Sequence, residues 1–343
     1  MGAEQPISDW RREGIASNIP MSWKQPFAVA LLSIAAMFII AHQEWREMLH
    51  QWWNIDTYNH ILLVPLIIAW LVWNKRAELA KLNAQGWKPG IALFALAMAV
   101  WMIGKASDIN LLAHAGAVGA LQAAIIAILG PRITMLLLLP IGMMAFLVPF
   151  GDEIIPPLQS ITAQIAIFLT EVSGVPAVID GIYIDTPVGL FIVAEACSGV
   201  KFLIAMVTLA VLICFTQFES WTRRAIFLAA SIIIPILANG VRAWGTIYIA
   251  QSQGVEFAAG FDHIFYGWIF FAIVVGVILA GAWRYFEREP EDEGYVAADL
   301  SKMDWLNRIS RHSASNIAIL IGIVLVLMVA GVWAAIVAPV AIG

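Results

Sequence analysis

A chain of 343 residues that is 61% hydrophobic and only 13% charged, with a mean hydropathy of +0.84, belongs in a bilayer. Soluble domains keep roughly a quarter of their residues charged, and here no stretch of roughly 50 residues lacks an apolar run, so a separate soluble domain does not fit. The net charge of -5 without a basic tract argues against a nucleic-acid partner, and two cysteines exclude a disulfide framework.

Residues 1–25 read as a cytoplasmic segment carrying Arg11, Arg12 and Lys24. The first apolar run, 26–41, has the flanks of a signal peptide, but more runs follow at once and it reads as an uncleaved helix. Further runs fit to cross, or nearly cross, a hydrocarbon core of about 30 Å lie near 59–74, 90–104, 110–129, 133–150, 197–216, 225–249, 264–286 and 316–339. Segment 156–172 (PPLQSITAQIAIFLTEV) is different: it mixes Gln159, Ser160, Thr162, Gln164, Thr170 and Glu171 into its apolar residues.

Lys and Arg concentrate in cytoplasmic loops, which decides how that segment is read. With the N-terminus inside and 156–172 kept on the outer surface, 15 of the 19 basic residues fall inside, the exceptions being Arg46, Lys105, Lys201 and Arg242. If 156–172 spanned, the basic residues of 284–315 would face outward. The segment is therefore expected to be an interfacial or re-entrant helix. The next stretch, AVIDGIYIDTPVGLFIVAEA, reads as strand, turn and strand, with Pro187 and Gly189 at the turn. The expected fold class is an all-α polytopic membrane protein: about nine transmembrane helices, an interfacial helix and a short outer-face β-hairpin. Its parts are a core over 26–286, an acidic cytoplasmic loop over 287–315, and an additional helix with the C-terminus over 316–343.

The hairpin leads directly to Cys197, in VAEACSGVKF. Cys214 lies mid-span among apolar residues, where a cysteine is a small hydrophobe. Cys197 is expected at the start of its helix, where free N–H groups favour a thiolate. Ser198 and Gly199 would allow another chain to approach, and Lys201 would add positive charge on the same face, against Glu195. A small residue at a helix start is the competing reading of Cys197. Arg242, in LANGVRAWG, lies within a span about two turns from its outer end, at a cost of several kcal/mol unless it faces a polar cavity or a partner. Its alternatives are snorkelling, or a structural pair with Glu195 or Asp262. Asn239 and Gly240 mark a polar, closely packed wall beside it. His263, in GFDHIFYGW, opens the next span on the same side, although His50, His60 and His114 also lie near helix ends. A thiol, a guanidinium and an imidazole at one depth are the parts for covalent acyl chemistry.

The order VAEACSGVKFL, NGVRAWG and DHIFYGW on successive spans resembles the signature of the exosortase/archaeosortase family. The stretch DGIYIDTPVGLFIVAEACSG resembles that family's approach to its cysteine, and WWNIDTYNHILLVPLIIAWLVW its amino-terminal Tyr-x-His motif. The likeness covers roughly residues 45–286; it departs at Ile61, where family members often carry Gly, and the run 316–339 lies outside it. The resemblance implies a membrane-embedded cysteine transpeptidase or protease of the bacterial inner membrane, with its site facing the periplasm and needing no cofactor or metal. Its substrates would be membrane-anchored proteins with C-terminal sorting signals (a short motif such as Pro-Glu-Pro, a transmembrane helix, a basic cluster), and its acceptor nucleophile is unspecified. Cys197 would attack, Arg242 stabilise the oxyanion and His263 transfer protons, with Glu195, Ser198, Lys201, Asn239 and Asp262 in support. The alternative from a different class is a transporter or exopolysaccharide export component without covalent chemistry, in which Arg242 and Glu195 line a pathway.

Overall fold

The structure, a computed structural model, describes residues 21–256, 267–288 and 295–337. The chain folds as two units, one drawn from residues 1–47, 68–145 and 293–343 and the other from 48–67 and 146–292.

In the first unit, α1 (Met21–Ile40), α5 (Lys88–Ala106), α6 (Asn110–Leu136) and the last helix, α14 (Asn316–Val337), pack together. With lipid outside as apolar as the helices themselves, close packing rather than hydrophobicity must hold such helices. The α5–α6 pair shows how: Ala113, Ala117, Ala120, Ala124 and Ala127 line the buried face of α6. A Cβ added at Gly104 would lie 2.3 Å from the Ala113 nitrogen, and one at Gly116 2.3 Å from the Trp101 nitrogen, so only glycine allows this approach. At one end of the unit, a two-residue pairing of β1 (Gly86–Trp87) with β5 (Ser313–Ala314) ties two loops together. There Trp87 donates to the Ile309 carbonyl (3.0 Å) and Arg132 to Asn307 (2.8 Å), gathering the loops that carry Lys81, Lys88, Arg132, Arg308 and Arg311. Glu78 accepts hydrogen bonds from Lys81 and from the Ala297 amide, which hold its carboxyl below the usual range. At the other end of α5, Lys105 meets buried Glu44 at 2.9 Å, which neutralises a cation that breaks the charge pattern of the loops.

The spans differ from a simple count of nine. Among the described residues, six helices are long and apolar enough to cross a bilayer, or eight if two sharply bent pairs (42–54 with 59–74, and 138–147 with 152–172) each make one. The run 133–150 is not a separate span. Gly130 adopts φ 77° before Pro131, so α6 kinks there and continues only to Leu136. A six-residue helix, α7 (Leu138–Met143), and a 3₁₀ turn over Met144–Leu147 follow. The segment expected to be an interfacial or re-entrant helix, α8 (Ile155–Val172), is the second member of one bent pair, the geometry of a broken span or of a re-entrant loop. The helix expected over 264–286 is observed as α11 (Gly267–Trp283), and residues 257–266 before it lie outside the described part.

In the second unit, α8, α9 (Val200–Gln217), α10 (Trp221–Gln253) and α11 surround the region of interest. Instead of a two-stranded hairpin, residues 178–192 form a three-stranded antiparallel sheet of β2 (Val178–Asp180), β3 (Tyr183–Thr186) and β4 (Gly189–Ile192). Alternation sets its faces: Tyr183, Asp185, Leu190 and Ile192 are exposed, whereas Ile184 and Val193 are buried against Ala163, Ala166 and Ile247 of α8 and α10. At the opposite end of α9, Glu287 accepts from the Ser220 and Glu219 amides (2.8 and 2.7 Å), which keep its carboxyl below the usual range; Arg224 donates to the Phe218 carbonyl.

Candidate active site

Cys197 closes a 3₁₀ turn, Glu195–Cys197, directly after the sheet. Its own N–H donates to the Ala194 carbonyl at 2.8 Å, so the turn is hydrogen-bonded as the chain leaves β4. The cysteine does not begin the helix. Gly199, at φ 79°, redirects the chain and is the N-cap of α9, which leaves Cys197 two residues upstream. Ser198, just before that cap, is buried, and its hydroxyl accepts from the Val200 amide at 3.4 Å, so it does not open a path to the thiol. The space beside Gly199 is occupied by α10: a Cβ there would lie 2.7 Å from Asn239 Cγ.

Asn239 is 6% exposed, and its Nδ2 donates to the Cys197 carbonyl (2.7 Å) and to Thr162 Oγ1 of α8 (3.0 Å). Arg242 is one turn further along α10 and is also buried, at 9%. Gly199, Asn239 and Arg242 line a cavity of about 20 Å³ together with Phe202, Pro235 and Phe271. The thiol is half-buried, packed against the cluster that holds Ala163, Ile184, Val193 and Ile247. The sheet, the Cys197 turn and the helix that carries Arg242 thus converge within one unit.

The remaining sequence candidates divide. Lys201 places its ammonium 5.1 Å from the centroid of the Phe202 ring, and Glu195 is exposed. Asp262 and His263 lie outside the described residues. Among the described residues, no group of three or more His, Cys, Asp or Glu side chains is placed to hold a metal ion.

Sequence reasoning did not single out the support behind the turn. Gln159 of α8 donates to the Val193 carbonyl at 2.7 Å, and Trp244 of α10 donates to Ser173 at 3.1 Å. Away from the turn, Tyr58, the tyrosine of the Tyr-x-His motif, is 2% exposed and donates to Asp152 at 2.7 Å; burial first, and then that hydrogen bond, raise its pKa, so the phenol remains a donor. The available signal was the spacing of Thr162, Ala163, Ala166 and Thr170, a buried stripe of small residues that lets α8 lie close to α10.

The two cysteines differ in access. Cys214 is 4% exposed, and its thiol reaches the Arg224 carbonyl at 3.5 Å within an apolar cluster. A small maleimide added to membranes is therefore expected to modify Cys197 at least about tenfold faster than Cys214, because only the former is open to reagent. Peptide mass mapping checks this; equal rates would contradict it.

These features define a polytopic α-helical membrane protein with a half-buried cysteine whose carbonyl is held by an asparagine one helical turn from a buried arginine. A family model described as "Transmembrane exosortase (Exosortase_EpsH)" matches residues 52–280, a stretch that includes Cys197, Arg242 and His263. The chain belongs to the transmembrane exosortase family, whose members are cysteine-type membrane transpeptidases acting on membrane-associated protein substrates. No curated protein and no solved structure matches it.

Proposed function

We propose that this protein is a membrane-embedded cysteine transpeptidase that removes C-terminal sorting signals from exported, membrane-anchored proteins through a thioester. The observation that carries the reading is the Asn239 hydrogen bond to the Cys197 carbonyl, which fixes the nucleophile's turn to α10 one turn from Arg242. The Cys197 thiolate attacks the scissile carbonyl carbon, and Arg242 stabilises the oxyanion where little water competes. The C–N bond then breaks, and the leaving amine takes its proton from His263. An acceptor amine or water next attacks the thioester, gives its proton to His263 and releases the thiolate. A substrate helix held in the bilayer would present its motif at the membrane boundary, so anchoring supplies part of the rate.

The site is placed on the periplasmic side of a bacterial inner membrane, with the three-stranded sheet on the outer face and the N-terminus inside. The exosortase-like core is 26–286, joined by the acidic cytoplasmic loop 287–315 to an additional helix over 316–343. The gathering of Lys81, Lys88, Arg132, Arg308 and Arg311 at one end of their unit supports the assignment of these loops to one side. Single cysteines at Lys81 and Gln251, probed with a membrane-impermeant thiol reagent on intact cells, are expected to label only at 251. Labelling of both from outside would overturn the orientation.

The activity is tested by co-expressing a reporter that ends in a motif, an apolar helix and a basic cluster. The intact chain is expected to shorten the reporter, and to leave it uncut when the motif is scrambled. Shortening that is indifferent to the motif, or no shortening at all, would contradict the assignment. An export component without covalent chemistry would instead keep its activity with alanine at 197.

A further inference from the structure

Asn239 lies within a span, where a polar amide is costly unless its groups are satisfied by other elements. Its Oδ1 is buried without a hydrogen-bond partner among the described residues, so the amide is held through Nδ2 alone, whose two bonds both leave the helix, to the Cys197 carbonyl at 2.7 Å and to Thr162 Oγ1 at 3.0 Å. The carbonyl has no proton to give, so the nitrogen is the amide atom that faces it, and the amide's orientation is thereby fixed. The nucleophile's backbone is then held on both sides, its N–H by the Ala194 carbonyl and its C=O by Asn239. The amide lies flat on Gly199, where a Cβ would come within 2.7 Å of it. Three residues on, one helical turn along the same face, α10 carries Arg242.

We infer that Asn239, oriented by Thr162, is a positioning residue that sets where the Cys197 thiol stands relative to Arg242. The inference rests on the thioester chemistry proposed above, since only a reacting thiol needs that register. Asn239 touches neither the substrate nor the reacting atoms; it acts through the Cys197 carbonyl. A small displacement of reacting groups is enough to cost about 100-fold in rate, so the backbone contact can matter as much as a direct one.

The test measures reporter processing per chain in which Cys197 is alkylatable while buried Cys214 stays protected, which counts folded enzyme, and it separates kcat from KM. For Asn239→Ala, kcat per thiol is expected to fall about 10- to 100-fold with KM within about threefold of the parent. Asn239→Asp, which puts a carboxylate oxygen against the Cys197 carbonyl, should fall at least as far. Thr162→Val leaves Asn239 in place but removes its second partner, and should lose about three- to tenfold. Thr170→Val is the control, a buried threonine two turns along α8 whose hydroxyl donates only to Ala166 of its own helix, and should keep its rate. A merely structural role would lower the yield of thiol and leave the rate per thiol unchanged.

An unchanged rate per thiol in Asn239→Ala would overturn the inference. If that variant does not fold, Thr162→Val decides: a rate equal to that of Thr170→Val overturns it, and a selective loss upholds it. Cys197→Ala is run alongside. Its processing of the reporter would overturn the thioester reading itself, whereas its inactivity beside a fully active Asn239→Ala would overturn the positioning role alone.

Discussion

Cys197→Ala is expected to abolish processing of a tail-bearing reporter, with activity below about one part in 10,000 of the parent. On the proposed thioester route the thiolate forms the covalent bond, and among the described residues no neighbour is placed to substitute for it. Glu195 is exposed beside it, and Ser198 is buried with its hydroxyl accepting from the Val200 amide. Loss of a nucleophile costs on the order of 10⁶ in enzymes of this general logic, and what remains comes from binding and oxyanion stabilisation. The alanine removes one sulfur from a half-buried position, so folding and reporter binding are expected to persist. Gel analysis of the reporter, with enzyme level measured on the same blot, checks this. Appreciable shortening by the alanine variant would move the chemistry to another residue.

The second large effect separates Arg242 from His263. Arg242→Lys keeps the charge but loses the planar fork of donors, so a loss of about 100-fold or more is expected, comparable to deleting an oxyanion donor. His263→Ala is expected to remove the proton transfer proposed for it, a loss of about 100- to 10,000-fold. The two should respond differently to the leaving group. A reporter ester, whose alkoxide needs less help to depart than an amine, should recover much of the loss in His263→Ala. It should do little for Arg242→Lys, because the oxyanion forms whatever group leaves. Equal rescue of both variants would contradict the division of roles, and near-parent processing by either would remove that residue from the mechanism.

The pattern of spans was legible where apolar runs are uninterrupted, as in α1, α5, α9 and α14. It failed at 133–150, where hydropathy stays high but Gly130, Pro131 and Pro140 cut the helix into short pieces. Hydropathy averages over a window and is blind to a missing N–H at one position. The polar residues of 156–172 read as contacts with the interface. In the fold, Gln159 and Thr162 instead bond to Val193, just before the Cys197 turn, and to Asn239 of α10; these partners lie 34 and 77 residues away, so no local pattern announces them. The Cys197 turn illustrates both outcomes. The run of strand and turn residues before it was visible. That Gly199, rather than Cys197, caps the helix depends on one positive φ angle and on an asparagine 40 residues on.

The thioester is the most direct object to measure. The purified protein in detergent is mixed with the tail-bearing reporter, quenched in acid within the first turnover and digested for mass spectrometry. The peptide containing Cys197 is expected to carry the reporter's new C-terminus through an acyl bond that hydroxylamine releases, and the adduct should accumulate when the acceptor is withheld. Turnover with Cys197 unmodified throughout, or an acyl group found on a different side chain, would contradict covalent catalysis at this site.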